Sequence, residues 1–323
     1  MSQLARAVAL LALIIMSFVP AQAETWPNRP IKIIVSQAAG GTPDLICRLV
    51  SDKLSDLLGQ RVLVENRPGG ANVVGATAAA HAAPDGYTLF FATAAALVSN
   101  PHTFKTLPYD PVKDFVAVSM VAKNPFLILA NAKVAQSNLS ELVAYDKANP
   151  GKLTFATDGP RNFSGILATW LNNVSGANIL QVPYATMPQG VQDTLAGRTQ
   201  LTILSPPSAA PHIASGALKP LAISWTKRLP QFAQVPSISE TYPGVELTGW
   251  FVIAAPAGTP AEVVARLNQE MDKVLKLPEL VKRLADVGFF TDGAESPEAT
   301  QAFVRAQYEL WKKIVHDIGL QPE

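Results

Sequence analysis

The stretch from Pro30 to Gly59, PIKIIVSQAAGGTPDLICRLVSDKLSDLLG, restricts the fold of this chain more than any other. Ile31, Ile33, Ile34 and Val35 form a short β-branched apolar run, the composition of a buried strand. Ser36 to Gly41 is a loop ending in two glycines. Thr42 is expected to cap a helix and Pro43 to be its first residue. Leu45, Leu49, Val50, Leu54, Leu57 and Leu58 then recur at helical spacing, and Gly59 ends the helix. A helix start of this kind presents unpaired N–H groups at the carboxyl end of a strand, which suits an anion, and the glycines allow it close to the backbone. The alternative is a tight βα turn without a ligand. Asp44 complements the helix dipole. It would repel a bare anion unless it fixes the loop or accepts a hydrogen bond from the ligand.

The first 23 residues read as a secretory leader. Arg6 supplies the positive charge, Ala7 to Val19 is apolar but short for a membrane span, and Ala21-Gln22-Ala23 is a cleavage site. The mature chain is expected to begin at Glu24, long enough for two domains. No cysteine follows the apolar stretch, so no lipid anchor is expected. The whole chain carries 26 basic and 25 acidic residues. That balance offers no footprint for nucleic acid or an anionic membrane, so any anion recognition must be local. Cys47 is the only cysteine; it excludes an intrachain disulfide and reads as a small core residue. His81, His102, His212 and His316 have no metal-ligand spacing, and no metal or other cofactor is expected.

Along the chain the pattern repeats. Val62-Leu63-Val64 is a strand ending in the turn Glu65 to Gly70. Val73 to Ala83 reads as a helix and Tyr87 to Ala92 as a strand ending at Thr93. This rhythm predicts a parallel sheet covered by helices, with ligands beyond the carboxyl ends of its strands. Asn100 to Asp114 reads as a long surface loop. Val116 to Ala130 reads as two strands, or one broken strand, crossing between domains around Lys123-Asn124-Pro125. A second unit follows: strand Lys152 to Ala156, loop Thr157 to Ser164, then a helix with Ile166, Leu167, Trp170, Leu171 and Val174. Arg161 in that loop has the planar fork that suits a carboxylate, while Asp158 reads as a turn former. Strands follow at Ile179–Val182, Leu201–Leu204 and Leu218–Trp225. Lys227 to Thr248 is a proline-rich return crossing, Trp250 to Ala255 is a strand, and helices complete the chain. Two α/β lobes joined by two crossings result, each with a helix-start loop.

There is no G-x-S-x-G elbow, no P-loop and no H-E-x-x-H, and no pair of acids suggests glycoside hydrolysis. No residue set proposes a nucleophile with its base, so the chain is not read as an enzyme.

The chain resembles the Bug (TctC-like) family, periplasmic solute-binding receptors of tripartite tricarboxylate transporters. The segments that carry the resemblance include WPNRPIKIIV (Trp26–Val35), GGTPD (Gly40–Asp44), GQRVLVENRPGG (Gly59–Gly70), APDGYTL (Ala83–Leu89), LPYDPVKDF (Leu107–Phe115), NPGKLTFA (Asn149–Ala156), VPY (Val182–Tyr184), PHIASGALKPLAIS (Pro211–Ser224) and APAGTP (Ala255–Pro260), in family order. The resemblance implies an α/β, two-lobed periplasmic binding protein (type II, Venus flytrap) with two interdomain crossings. Residues 24–124 and 248–323 would form the first domain and 125–247 the second. It implies a monomer in the periplasm that captures a small organic mono- or dicarboxylate and delivers it to a membrane permease of the tripartite tricarboxylate type. A receptor presenting its closed form to a membrane sensor kinase is the alternative, and a secreted hydrolase a remoter one. The expected ligand-binding residues are Ser36, Gln37, Gly40, Gly41, Thr42, Asp44 and Thr93 on the first lobe. On the second they are Thr157, Asp158, Gly159, Arg161, Asn162, Ser164, Tyr184 and Ser205. The chain departs from the family pattern in Ser36-Gln37-Ala38-Ala39, in the second loop, in Ala185 and in lacking an acid between Gln200 and Ser205. All are positions expected to face the pocket.

Overall fold

A computed structural model describes residues 26–160, 162–243 and 246–322. The expected leader with its cleavage site, and Arg161, lie outside the described residues. The strands are β1 (Ile31–Val35), β2 (Val62–Asn66), β3 (Thr88–Thr93), β4 (Phe115–Asn124), β5 (Leu127–Asn131), β6 (Thr154–Thr157), β7 (Leu180–Pro183), β8 (Leu201–Leu204), β9 (Leu218–Ile223) and β10 (Gly249–Pro256). The helices are α1 (Thr42–Leu58), α2 (Val73–Ala80), α3 (Asn100–Thr103), α4 (Leu139–Ala148), α5 (Phe163–Ser175), α6 (Met187–Ala196), α7 (Pro206–Ala214), α8 (Ile238–Thr241), α9 (Ala261–Leu275), α10 (Pro278–Asp286) and α11 (Pro297–Asp317).

Two five-stranded sheets result, ordered β2-β1-β3-β10-β4 and β7-β6-β8-β5-β9. Neither is wholly parallel, contrary to the expectation from the strand–helix rhythm: β10 runs antiparallel to β3 and β4, and β5 antiparallel to β8 and β9. The βα strands run toward the junction of the lobes. A strand with which the chain enters a lobe at that junction must run away from it. Both odd strands are such entries, β5 after Asn124 and β10 after the return from β9.

β1 lies between β2 and β3 and is almost wholly buried, as its apolar run requires. On α1 the inward face is Ile46, Cys47, Val50, Leu54 and Leu58, whereas Leu45 and Leu57 point to solvent. Gly59 closes the helix at φ 66°, with its N–H donating to the Ser55 carbonyl, a conformation that favours glycine. Asn100 to Asp114 is not all loop. Its start forms α3 because Asn100 is buried and its Nδ2 donates 2.7 Å to the Ala71 carbonyl. The proline-rich return likewise contains α8, framed by a Ser237–Glu240 capping box whose S-x-x-E signature is in the sequence.

Among the described residues, three strips of chain meet where the lobes join. Two are the crossings between β4 and β5 and between β9 and β10, linked by the Lys123–Glu246 ion pair at 3.1 Å. The third was not foreseen: Phe290 exchanges backbone hydrogen bonds of 2.8 Å with Lys123, and Asn124 Nδ2 donates 2.6 Å to the Gly288 carbonyl. Phe289 stacks on Phe251 of the first sheet, while its neighbour Phe290 lies against Trp225 beyond β9. Helix α11 packs on β4 and also reaches α5 of the second lobe, burying Val304, Trp311, Ile314 and Val315.

Candidate functional site

The carboxyl ends of β3 and β4 meet the start of α5 around a cavity of about 360 Å³. Thr93 to Ala95 and Ser99 form its first-lobe wall. Asn124 and Phe126 contribute from one crossing, and Thr248 to Phe251 from the other. Asn162, Phe163 and Ile166 supply the second-lobe wall, with Phe289 and Trp311 also lining it. A separate hollow of about 310 Å³ between Lys133, Tyr145, Lys152 and Gln200 lies at the opposite end of the second sheet. Ligands of open α/β sheets bind at carboxyl ends, so the hinge cavity is the candidate.

Of the residues expected at the site, Thr93 and Asn162 line this cavity, and the other described ones do not. The first loop is held by side-chain hydrogen bonds from several elements. Ser36 Oγ donates 3.2 Å to Asn72 Oδ1, which also accepts from Gln37 Nε2. The helix cap falls on Gly41, one residue before the expected Thr42, which is exposed at the start of α1. Gly40 N–H donates 2.8 Å to Asp44 Oδ2. Asp44 is buried and also takes bonds from Arg48 Nε at 3.1 Å and Asn66 Nδ2 at 2.9 Å. Burial raises the Asp44 pKa, but the bonds from Arg48, the Gly40 amide and Asn66 outweigh it and hold the carboxyl below its ordinary value. Its charge is therefore spent inside the loop, and it does not compete with an incoming anion.

The second loop is built differently. Thr157 is fully buried in β6 and its hydroxyl donates 3.4 Å to Gln181 Oε1, away from the cavity. Ser164 Oγ accepts from the Asp158 N–H at 2.9 Å and donates back to the Asp158 carboxylate. Gly159 adopts φ 108°, and a Cβ on Gly165 would lie 2.0 Å from the Gly159 carbonyl oxygen. The loop thus lies directly on the first turn of α5. Asn162 occupies the cap position, yet its Nδ2 donates 2.6 Å back to the Asp158 carbonyl and its side chain does not cap the helix. Tyr184 spends its hydroxyl on Asp193 Oδ2 at 2.8 Å, and Ser205, at the cap position of α7, makes no side-chain cap bond and donates 3.0 Å to Ser208 Oγ.

Sequence reasoning missed Asn72 and most of the cavity lining. The segment Gly69 to Asn72 has four successive positive φ angles, 134°, 53°, 50° and 81°. Ala71 and Asn72 hold theirs without being glycine, in a turn braced by Asn100 and packed behind Ser36. The Pro68-Gly69-Gly70 turn at the end of β2 was the available signal. For Phe126, Phe163, Trp250 and Trp311 there was none beyond their being aromatic. Among the described residues no group of His, Cys, Asp and Glu could hold a metal ion, and no helix is long and apolar enough to cross a membrane.

Comparison with known proteins places this geometry. The model of the tripartite tricarboxylate transporter family receptor matches residues 46–320. A UPF0065 protein of Bordetella bronchiseptica is 37% identical over 99% of this chain and 95% of its own length. The structure of a protein from R. palustris with adipate has a TM-score of 0.70 at 30% identity, covering 92% of this chain and 100% of that one. MatC from Rhodopseudomonas palustris, with bound malate, has a TM-score of 0.66 at 29% identity and covers 90% and 100%.

Proposed function

The chain belongs to the tripartite tricarboxylate transporter receptor family, and from that premise we propose that it captures a small organic carboxylate between its lobes and delivers it to a membrane permease of the tripartite type. Members of the family are solute-binding receptors rather than enzymes. In this reading the receptor works as a monomer in the periplasm, exported by its N-terminal leader, and closes as ligand engages both lobes.

The observation that carries the reading is the meeting, at one cavity, of the end of β3 at Thr93 with the start of α5 at Asn162 and Phe163. A helix start contributes about 0.3–1 kcal/mol to anion binding, and up to ~2 kcal/mol when partly buried. A charge-assisted hydrogen bond adds about 1.5–3 kcal/mol. Together they supply about 2–5 kcal/mol, and desolvation as the lobes close supplies the rest of about −8 kcal/mol, a micromolar affinity. Arg161, in the second loop, is proposed to supply one charge-assisted contact. The adipate and malate held by relatives accord with an anionic solute.

The test is a thermal-shift screen of the chain from Glu24 onward against small carboxylates and their amides. A ligand that binds only the native state raises the melting temperature by mass action. The expected outcome is a rise with an acid that its amide does not produce. A rise with amides alone would overturn the carboxylate reading.

A further inference from the structure

Resting on the carboxylate reading above, we propose that the hinge cavity selects an aromatic monocarboxylate, its ring enclosed between the crossings and its carboxylate at the start of α5. The first ground is charge. No Lys, Arg, Asp or Glu is among the described residues that line the cavity. A short dicarboxylate lying wholly within it would leave its second charge facing only neutral polar groups, Thr93, Ser99, Asn124 and Thr248, with no countercharge among the described lining residues, which is costly. A single carboxylate at the rim with an uncharged body inside avoids that cost.

The second ground is shape. Two stacked aromatic pairs border the space: Phe126 on Phe163, with ring centres 4.3 Å apart, and Phe251 on Phe289, 4.8 Å apart. Flat walls favour a flat occupant, since offset and edge-on ring contacts add to area burial. The volume, about 360 Å³, is at the low end of small-molecule sites.

The third ground is at the rim. The cap residue Asn162 donates to the Asp158 carbonyl and does not cap α5 with its side chain, and a helix start suits a carboxylate. Trp250 and Trp311 also line the cavity, 1% and 5% exposed.

Calorimetry on the purified receptor with benzoate, 4-hydroxybenzoate, phenylacetate, cyclohexanecarboxylate, malate and benzamide tests this. At least one aromatic acid is expected to bind tenfold or more tighter than malate and than cyclohexanecarboxylate. Phe163→Ala is expected to weaken that acid at least tenfold, with Phe163→Tyr within threefold of wild type. Binding should also change tryptophan fluorescence, and Trp311→Phe should reduce that change; the melting temperature of each free variant shows that it is folded. Tight malate binding with no aromatic acid bound would overturn the aromatic assignment and leave the carboxylate reading standing. Binding of benzamide and of no acid would overturn both.

Discussion

Each lobe has a helix-start loop, and the two are locked by different physics. In the first, one buried carboxylate gathers the structure: Asp44 accepts from the Gly40 amide, Arg48 and Asn66. In the second the lock is mostly steric. Gly159 and Pro160 lie so close on α5 that only a glycine is tolerated at position 165. Ser164 adds a hydroxyl that both accepts from and donates to Asp158. An acid in such a loop, seen in sequence, looks like a ligand contact. Here the first acid is an internal brace, and its partners arrive from β2 and from one turn further along α1. A loop braced by charge depends on pH, whereas a loop braced by contact depends on volume.

The sharpest way to break this contrast is Gly165→Ala. Its Cβ would lie 2.0 Å from a backbone oxygen, so the second loop must shift, at an expected cost of about 3 kcal/mol in urea unfolding. A cost below about 1 kcal/mol would mean that the second loop yields and is not sterically locked. Next is Asp44→Asn, which keeps the shape and removes the charge. It should lose about 2 kcal/mol at pH 7. Asp44 is held below its ordinary pKa when folded, so its contribution is full above the unfolded value and fades as pH falls through the folded one. The difference between wild type and variant should therefore shrink below about pH 4. A difference that does not change with pH would refute the charge lock.

Arg161→Ala bears on ligand and not on fold. It is expected to weaken a carboxylate by at least about tenfold in calorimetry, near 1.4 kcal/mol. Unchanged affinity removes Arg161 from the site. The smallest effect is expected at Gly40→Ala. The position has φ 82° with open space around it, so only the left-handed backbone is penalised, by about 1 kcal/mol in the same urea experiment. A loss as large as that of Gly165→Ala would show that the first loop is volume-limited too.

Much of the fold was legible. β8 begins and ends at Leu201 and Leu204 as expected, and α1 and α5 follow the apolar spacing within a few residues. Antiparallel β5 and β10 were not legible, because strand direction is set by where the chain enters a lobe. The strip Gly288 to Phe290 escaped notice since its pairing with Lys123 spans more than 160 residues. At the candidate site, Thr93 and Asn162 were within reach because strand ends and helix starts are marked in sequence. Asn72 was not, as its role depends on the unusual backbone of its own turn.

What the sequence by itself determined is most of the elements, their order, and the family, since strand alternation, helical spacing and short motifs are local properties of the chain; the short helices α3 and α8 are the exceptions. What only the tertiary structure decided is which side chains turn toward the cleft. Periodicity tells which face of an element is apolar, but not what lies opposite it. Asp44 and Thr157 turn inward because Asn66 and Gln181, on neighbouring strands, meet them there. Phe126, Phe163, Trp250 and Trp311 are scattered along the chain, and packing alone makes them the walls of one cavity.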